Sequence, residues 1–273
     1  MKKLVAFVLL TLLVLTCTLT ACGDPRPTLQ IYTNSGFAPY EYVNEYGEVV
    51  GIDIDIAQEI GEALGYNVVI NDIDFGMILP EVEKNQFAVG IAGLTQTDER
   101  DEVATASIVY ATSVQYVIVQ KGALDSVVDA NGKVSLSALA GMTIGVQEAT
   151  TGDYLVSDAI DGTTDEEDGS HIAGALEGTE ATKLAYANAI IASNDIGSTL
   201  DAVVVDKLPA IAIANANSNL QAYELDEEPE SYVLYFNKDA GELVEKVNAL
   251  LETLIEKGVI EYFTLKHSGE FAK

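Results

Sequence analysis

The sequence predicts an α/β fold with parallel strand pairing. Three observations lead there. Short apolar or β-branched runs recur along the chain, segments with apolar residues at helical spacing stand between them, and glycine-marked turns separate the two. At 48% hydrophobic residues the chain can build a buried core, although 43 acidic side chains face only 14 basic ones.

The elements follow in order. Residues 29–32 alternate as a short strand and run into Asn34-Ser35-Gly36-Phe37-Ala38-Pro39-Tyr40, a loop of turn residues carrying aromatics. Beyond Gly47 and Gly51 a helix opens at Asp53, with Ile56, Ile60, Ala63 and Leu64 on one face and Gly65 as its expected C-terminal cap. Asp53 and Asp55 are expected to cap and pack that helix. A strand at 68–70, a short helix at 77–83 and a buried strand at 87–94 come next. Residues 113–119 read as extended, 135–139 as a capped helical turn and 142–146 as a strand. Residues 199–205 form a buried run that ends at Asp206, followed by a helix at 208–216 and a strand at 233–236. The last long element, 242–257, places Leu243, Val247, Leu250, Leu251 and Leu254 on one face of an amphipathic helix. The acidic, glycine-bounded stretch 161–169 lacks the alternating ligands of a calcium loop and reads as solvated loop.

A formal charge of −29 sets the partners the surface tolerates. Such a chain is repelled by nucleic acid and by anionic headgroups, and is expected to be monomeric. The N-terminus sets the compartment. Met1-Lys2-Lys3 and the apolar run 4–15 form a signal-peptide core. Leu19-Thr20-Ala21-Cys22 resembles the lipobox of bacterial lipoproteins, which implies cleavage after residue 21, lipidation of Cys22 and a tether over 22–27. The resulting location is the outer face of the cytoplasmic membrane, in a single-membrane bacterium. Cys17 leaves with the signal, so the mature chain has no cysteine for a disulfide, a thiolate nucleophile or a metal site. His171 and His267 stand apart from every motif, and no cofactor or metal is expected.

Ala92-Gly93-Leu94-Thr95-Gln96-Thr97-Asp98-Glu99-Arg100 resembles the AGxTxTxER signature of polar amino acid-binding proteins of ABC importers, the extracellular solute-binding protein family 3. Phe37-Ala38-Pro39-Tyr40-Glu41, Gly51-Ile52-Asp53, Asp74-Phe75, Gly145-Val146-Gln147, Thr150-Thr151-Gly152 and Asp201-Ala202-Val203-Val204-Val205-Asp206 fall around it in the family's order. The resemblance implies a two-lobe periplasmic binding protein type II fold with two crossover strands. Lobe 1 takes 28–112 and 232–273, lobe 2 takes 116–228, and the crossings lie near 113–115 and 230–231. It also implies an importer's substrate-binding lipoprotein that delivers a free amino acid to a permease.

The chemistry of such a site is set by the zwitterion. Enclosing a carboxylate and an ammonium without partners costs several kcal/mol for each, about what effective burial penalties amount to. Arg100 offers a bidentate fork to the carboxylate and Asp206 a counter-charge to the ammonium, while Thr95 is expected to donate its hydroxyl and its N–H and Gly93 to offer its carbonyl. Backbone N–H groups near Thr150 and Thr151 complete the clamp from the second lobe, and Phe37 and Phe75 match the family's aromatic sandwich for the ligand side chain. Asn34 and Gln147 are neutral where relatives that take cationic ligands often carry an acid, so a neutral or polar amino acid is favoured. Two rival readings share the fold: a dehydratase-like enzyme, for which Glu148 is the only nearby general acid, and a ligand-sensing module.

Overall fold

The computed structural model describes residues 26–165 and 167–269; the expected signal segment 1–21, the expected lipidation site Cys22 and the expected tether as far as residue 25 lie outside them. Among the described residues no helix is long and apolar enough to cross a membrane.

The first half of the chain contributes β1 (Thr28–Thr33), β2 (Tyr42–Val43), β3 (Val49–Val50), α1 (Ile52–Leu64), β4 (Asn67–Asp72), α2 (Ile78–Val82), β5 (Ala88–Gly90), α3 (Asp98–Val103) and β6 (Thr105–Ala106). A connecting strand β7 (Ala111–Ser113) leads into β8 (Gln115–Gln120), β9 (Lys133–Val134), β10 (Thr143–Gln147) and α4 (Thr151–Asp161). Then come β11 (Thr163–Thr164), β12 (His171–Ile172), β13 (Thr182–Tyr186), α5 (Ala189–Ser193), β14 (Ala202–Asp206), α6 (Lys207–Ala216) and β15 (Leu220–Leu225). The chain returns through β16 (Glu230–Tyr232) to β17 (Tyr235–Phe236), α7 (Gly241–Glu256) and α8 (Val259–Ser268).

Two sheets result. The first has the order β4-β1-β5-β17-β6 and the second β13-β10-β14-β8-β15-β9. In the first, β1 pairs in parallel with β4 and β5, while β17 returns antiparallel to β5. In the second, β10 is parallel to β13 and β14, and β8 lies antiparallel to β14. The chain passes between sheets twice, and the two passages pair with each other: β7 and β16 are antiparallel, with Glu230 opposite Ser113 and Tyr232 opposite Ala111.

Burial explains the runs seen in the sequence. β14 is buried along its whole length because helices cover both faces of a central strand. β1 alternates, with Leu29, Ile31 and Thr33 inside. On α1 the stripe Ile52, Ile56 and Ile60 packs against the first sheet, each aliphatic side chain contributing about 1.5–3 kcal/mol of transfer free energy. α7 buries Leu243, Val244, Val247, Leu251 and Leu254; Leu250 sits at the edge of that face.

Several expectations shift. The strand expected at 87–94 pairs only over Ala88–Gly90, since Phe87 is exposed and the chain leaves the sheet to form the Gly93 loop. The strand expected at 233–236 ladders only at Tyr235–Phe236. Asp53 and Asp55 do not cap α1, whose N-cap is Gly51 without a side-chain bond. Instead the Ile52 and Asp53 N–H groups donate to the carbonyls of Pro39 and Tyr40, at 3.1 and 3.0 Å, which ties the aromatic loop to the helix start. In the acidic stretch 161–169, Thr163–Thr164 pairs with His171–Ile172 as an exposed hairpin.

Gly51 makes that tie possible. Its φ is 142°, and a Cβ there would lie 2.0 Å from the Tyr40 carbonyl oxygen. Gly51→Ala is therefore expected to destabilise the fold by on the order of 3 kcal/mol, combining a forbidden backbone conformation with a backbone clash. A urea titration should show a lower midpoint; an unchanged midpoint would contradict the tight approach.

Candidate functional site

The C-terminal ends of β5, β10 and β14 and the loop after β1 converge on one cavity between the sheets. Phe37, Phe75, Gly93, Thr95, Arg100, Gln147, Thr150, Thr151 and Asp206 line it, together with Glu41 and Ala92. Asn34 stands behind this lining, where its side chain carbonyl accepts from Gln147 Nε2 at 3.0 Å and its Nδ2 donates to the Ile73 carbonyl at 2.7 Å.

On the side of the first sheet, Gly93 adopts φ 54°, and a Cβ would meet Phe37 at 2.7 Å. Its N–H donates to Asp53 Oδ2 at 2.8 Å, and Asp53 Oδ1 accepts from the Tyr110 hydroxyl at 2.8 Å. Asp53 is thus the buried acceptor that shapes the Gly93 loop. Thr97 caps α3 and presents Arg100, which is only 9% exposed. Arg100 Nη1 donates to the Thr95 carbonyl at 2.8 Å, and Nη2 crosses to the Ala149 carbonyl at 3.2 Å. Its guanidinium lies 5.5 Å from the centroid of Phe75, within cation–π range. Burial lowers the Arg100 pKa, and Tyr235, Tyr154, Glu230 and Asp206 oppose that fall. It stays a cation.

On the side of the second sheet, Asp206 ends β14 and stands at the N-cap position of α6, yet its side chain does not cap that helix. It accepts from the Tyr232 hydroxyl at 2.6 Å instead. Thr150 does cap α4, accepting from Asp153 N–H at 3.2 Å while donating to the Gln147 carbonyl at 2.8 Å.

Glu230 and Glu41 also belong to the site: no sequence motif marks Glu230, and Glu41 ends the Phe37-Ala38-Pro39-Tyr40-Glu41 segment without standing out there as a site residue. Glu230 lies on β16, one of the two passages between sheets. Its Oε2 accepts from the hydroxyls of Thr95 at 2.5 Å and Thr151 at 2.8 Å, and its Oε1 accepts from Gln115 Nε2 at 2.9 Å. A hydroxyl has one proton, so Thr95 and Thr151 turn lone pairs to the cavity. The expectation that Thr95 donates its hydroxyl to the ligand is corrected here: in this arrangement it can only accept. Gln147 Oε1 and Glu41 Oε2 are buried without a hydrogen-bond partner. Arg100 aside, the side chains of the cavity therefore ask for donors. Glu148, the acid named for the enzyme reading, is exposed and does not line the cavity.

Burial pushes the Asp206 carboxyl up to about 7, with the Glu230 charge adding to it. Burial raises Asp53 to about 6 and holds Glu41 well above the carboxylate range, where the nearby Asp53 charge adds to the effect. Unfolded carboxyls titrate near 4, so through roughly pH 4–7 the folded protein holds more protons than the unfolded chain, and stability falls as pH rises across that window. The unliganded protein is expected to melt several degrees lower at about pH 8 than at about pH 5, a difference that shrinks in Asp206→Asn. Calorimetric scans check this; a melting temperature that rises with pH would contradict it.

A roomier, mainly apolar groove of about 340 Å³ lies between the loop at 36–38 and helices α5 and α6. No charged side chain lines it, so it has nothing to pair with a zwitterion.

Residues 29–270 match the model of the bacterial extracellular solute-binding proteins, family 3, and the chain belongs to that family. The arginine-binding extracellular protein ArtP of Bacillus subtilis is 26% identical over 267 residues, covering 92% of this chain and 94% of that protein. A probable histidine-binding protein of Neisseria gonorrhoeae is 25% identical over 93% of this chain and 94% of its own. Among solved structures, an ancestral arginine-binding protein bound to arginine has a TM-score of 0.74 at 29% identity, covering 89% of this chain and 98% of that one. The amino acid ABC transporter substrate-binding protein AbpA from Streptococcus pneumoniae, bound to L-arginine, shares the fold with a TM-score of 0.76 at 23% identity, over 90% and 96% of the two chains. The two-lobe arrangement is the periplasmic binding protein type II fold.

Proposed function

We propose that this family 3 solute-binding protein encloses a free amino acid between its lobes and delivers it to the permease of an ABC importer, as a monomer anchored through lipid on Cys22. One observation carries the reading: a buried guanidinium from the first lobe, Arg100, and a buried carboxylate from the second, Asp206, line one cavity. Lobes spanning 28–112 with 232–273 and 116–228 would swing about the β7–β16 pair. Ligand favours closure because its carboxylate and ammonium find both partners only there.

For the side chain we favour a neutral polar group with N–H donors, such as a carboxamide, because Gln147 Oε1 is a buried acceptor without a partner while its Nε2 is already held by neutral Asn34. A second reading, a cationic side chain, draws support from the acids Glu41, Asp206 and Glu230 around the cavity and from the arginine-binding relatives. Binding without turnover is part of the proposal; a prephenate-like substrate should come through incubation unchanged.

A thermal-shift panel of the common amino acids tests it, since a ligand bound only to the folded state raises the melting temperature. Glutamine or asparagine giving the largest shift supports the first reading, and arginine the second. No shift with any amino acid would overturn the proposal.

A further inference from the structure

Ala149 has φ 64°, a left-handed conformation that an alanine keeps only where its surroundings impose it. Here they do. Its N–H donates to Asp153 Oδ2 at 2.9 Å, and its carbonyl accepts Arg100 Nη2 from the opposite lobe. Asp153 is 7% exposed and is itself held: Lys183 on β13 bonds its Oδ1 and also reaches the Ser157 hydroxyl. Neither Asp153 nor Lys183 lines the cavity.

We propose that Asp153, held by Lys183, is a positioning residue for ligand binding: it keeps Ala149 left-handed, so that the Ala149 carbonyl meets Arg100 as the lobes close. The consequence runs through the guanidinium. Arg100 spends one donor on its own lobe and one on Ala149, which orients the fork that remains for a ligand carboxylate. Releasing the loop removes a tie between the lobes and lowers the closed, binding-competent fraction, and apparent affinity falls with that fraction. The inference rests on the amino acid-binding reading above.

The test is a double-mutant cycle, read by calorimetric titration with whichever amino acid most stabilises the wild type. Asp153→Ala is expected to weaken binding at least tenfold. The same change in an Ala149→Gly background should cost less than threefold, because glycine enters the left-handed region without being held there. Lys183→Met should fall between the wild type and Asp153→Ala. If Asp153→Ala does not fold, Asp153→Asn carries the same cycle, with an expected loss of threefold or more that Ala149→Gly halves or better. Equal losses in both backgrounds, or an Asp153 variant within twofold of the wild type, would overturn the inference while leaving the site intact. A wild type that binds no amino acid would overturn both.

Discussion

Arg100→Ala is expected to weaken amino acid binding by about two to three orders of magnitude while leaving the unliganded protein folded. Desolvation sets the size of this loss. A ligand carboxylate enclosed without its cation costs roughly 3–5 kcal/mol, which corresponds to that loss in affinity. The empty protein loses much less, because Arg100 donates there to two neutral carbonyls, Thr95 and Ala149, and its own burial already works against its charge. Arg100→Lys should recover only part of the affinity, since an ammonium keeps the charge but not the planar fork. Calorimetry on the three proteins measures this. Affinity within tenfold of the wild type in Arg100→Ala would show that the carboxylate is held elsewhere.

Asp206→Asn separates binding from stability. Affinity is expected to fall about a hundredfold, because the ammonium loses the carboxylate at the end of β14 and gains a neutral carbonyl in exchange. Above pH 7 the unliganded variant should be more stable than the wild type. The wild-type carboxylate is buried near the Glu230 charge and resists ionising; an asparagine removes that penalty and can keep the Tyr232 hydrogen bond. A melting curve and a titration on the same sample suffice. If the variant lost affinity and stability together at pH 8, Asp206 would be a structural acid and not a ligand partner.

The parts of this site that are legible in the sequence are those in which buried strands end in charged or small residues. The run Ala202–Asp206 is apolar until its last residue, so the residue order alone puts a carboxylate at a strand end. The Thr95-to-Arg100 segment is legible as a motif. What stays hidden depends on long-range geometry. Glu230 lies in the acidic stretch Glu227-Glu228-Pro229-Glu230, which reads as solvated, and only the pairing of β16 with β7 brings it to Thr95 and Thr151. Glu41 ends the segment 37–41 with no sign in the residue order that it is buried; its burial against Asp53 comes from the turn that Gly51 allows. The left-handed Ala149 has no residue signature at all, since only glycine announces that conformation. Helices α4 and α5 and strand β13 escape a reading by periodicity: α5 has only 5 residues, α4 buries Gly152 and Asp153 beside Val156 and Ala159, and β13, at the edge of its sheet, is half-buried at best.

One cavity is expected to hold both charged ends of an amino acid at once. Titrating the wild type with its best amino acid, with that ligand's α-carboxamide and with its Nα-acetyl derivative tests it most directly. Loss of about a hundredfold or more in affinity with each derivative is the expected result, because each leaves Arg100 or Asp206 buried without its partner. If either derivative bound within tenfold of the free amino acid, the two-ended clamp would be wrong.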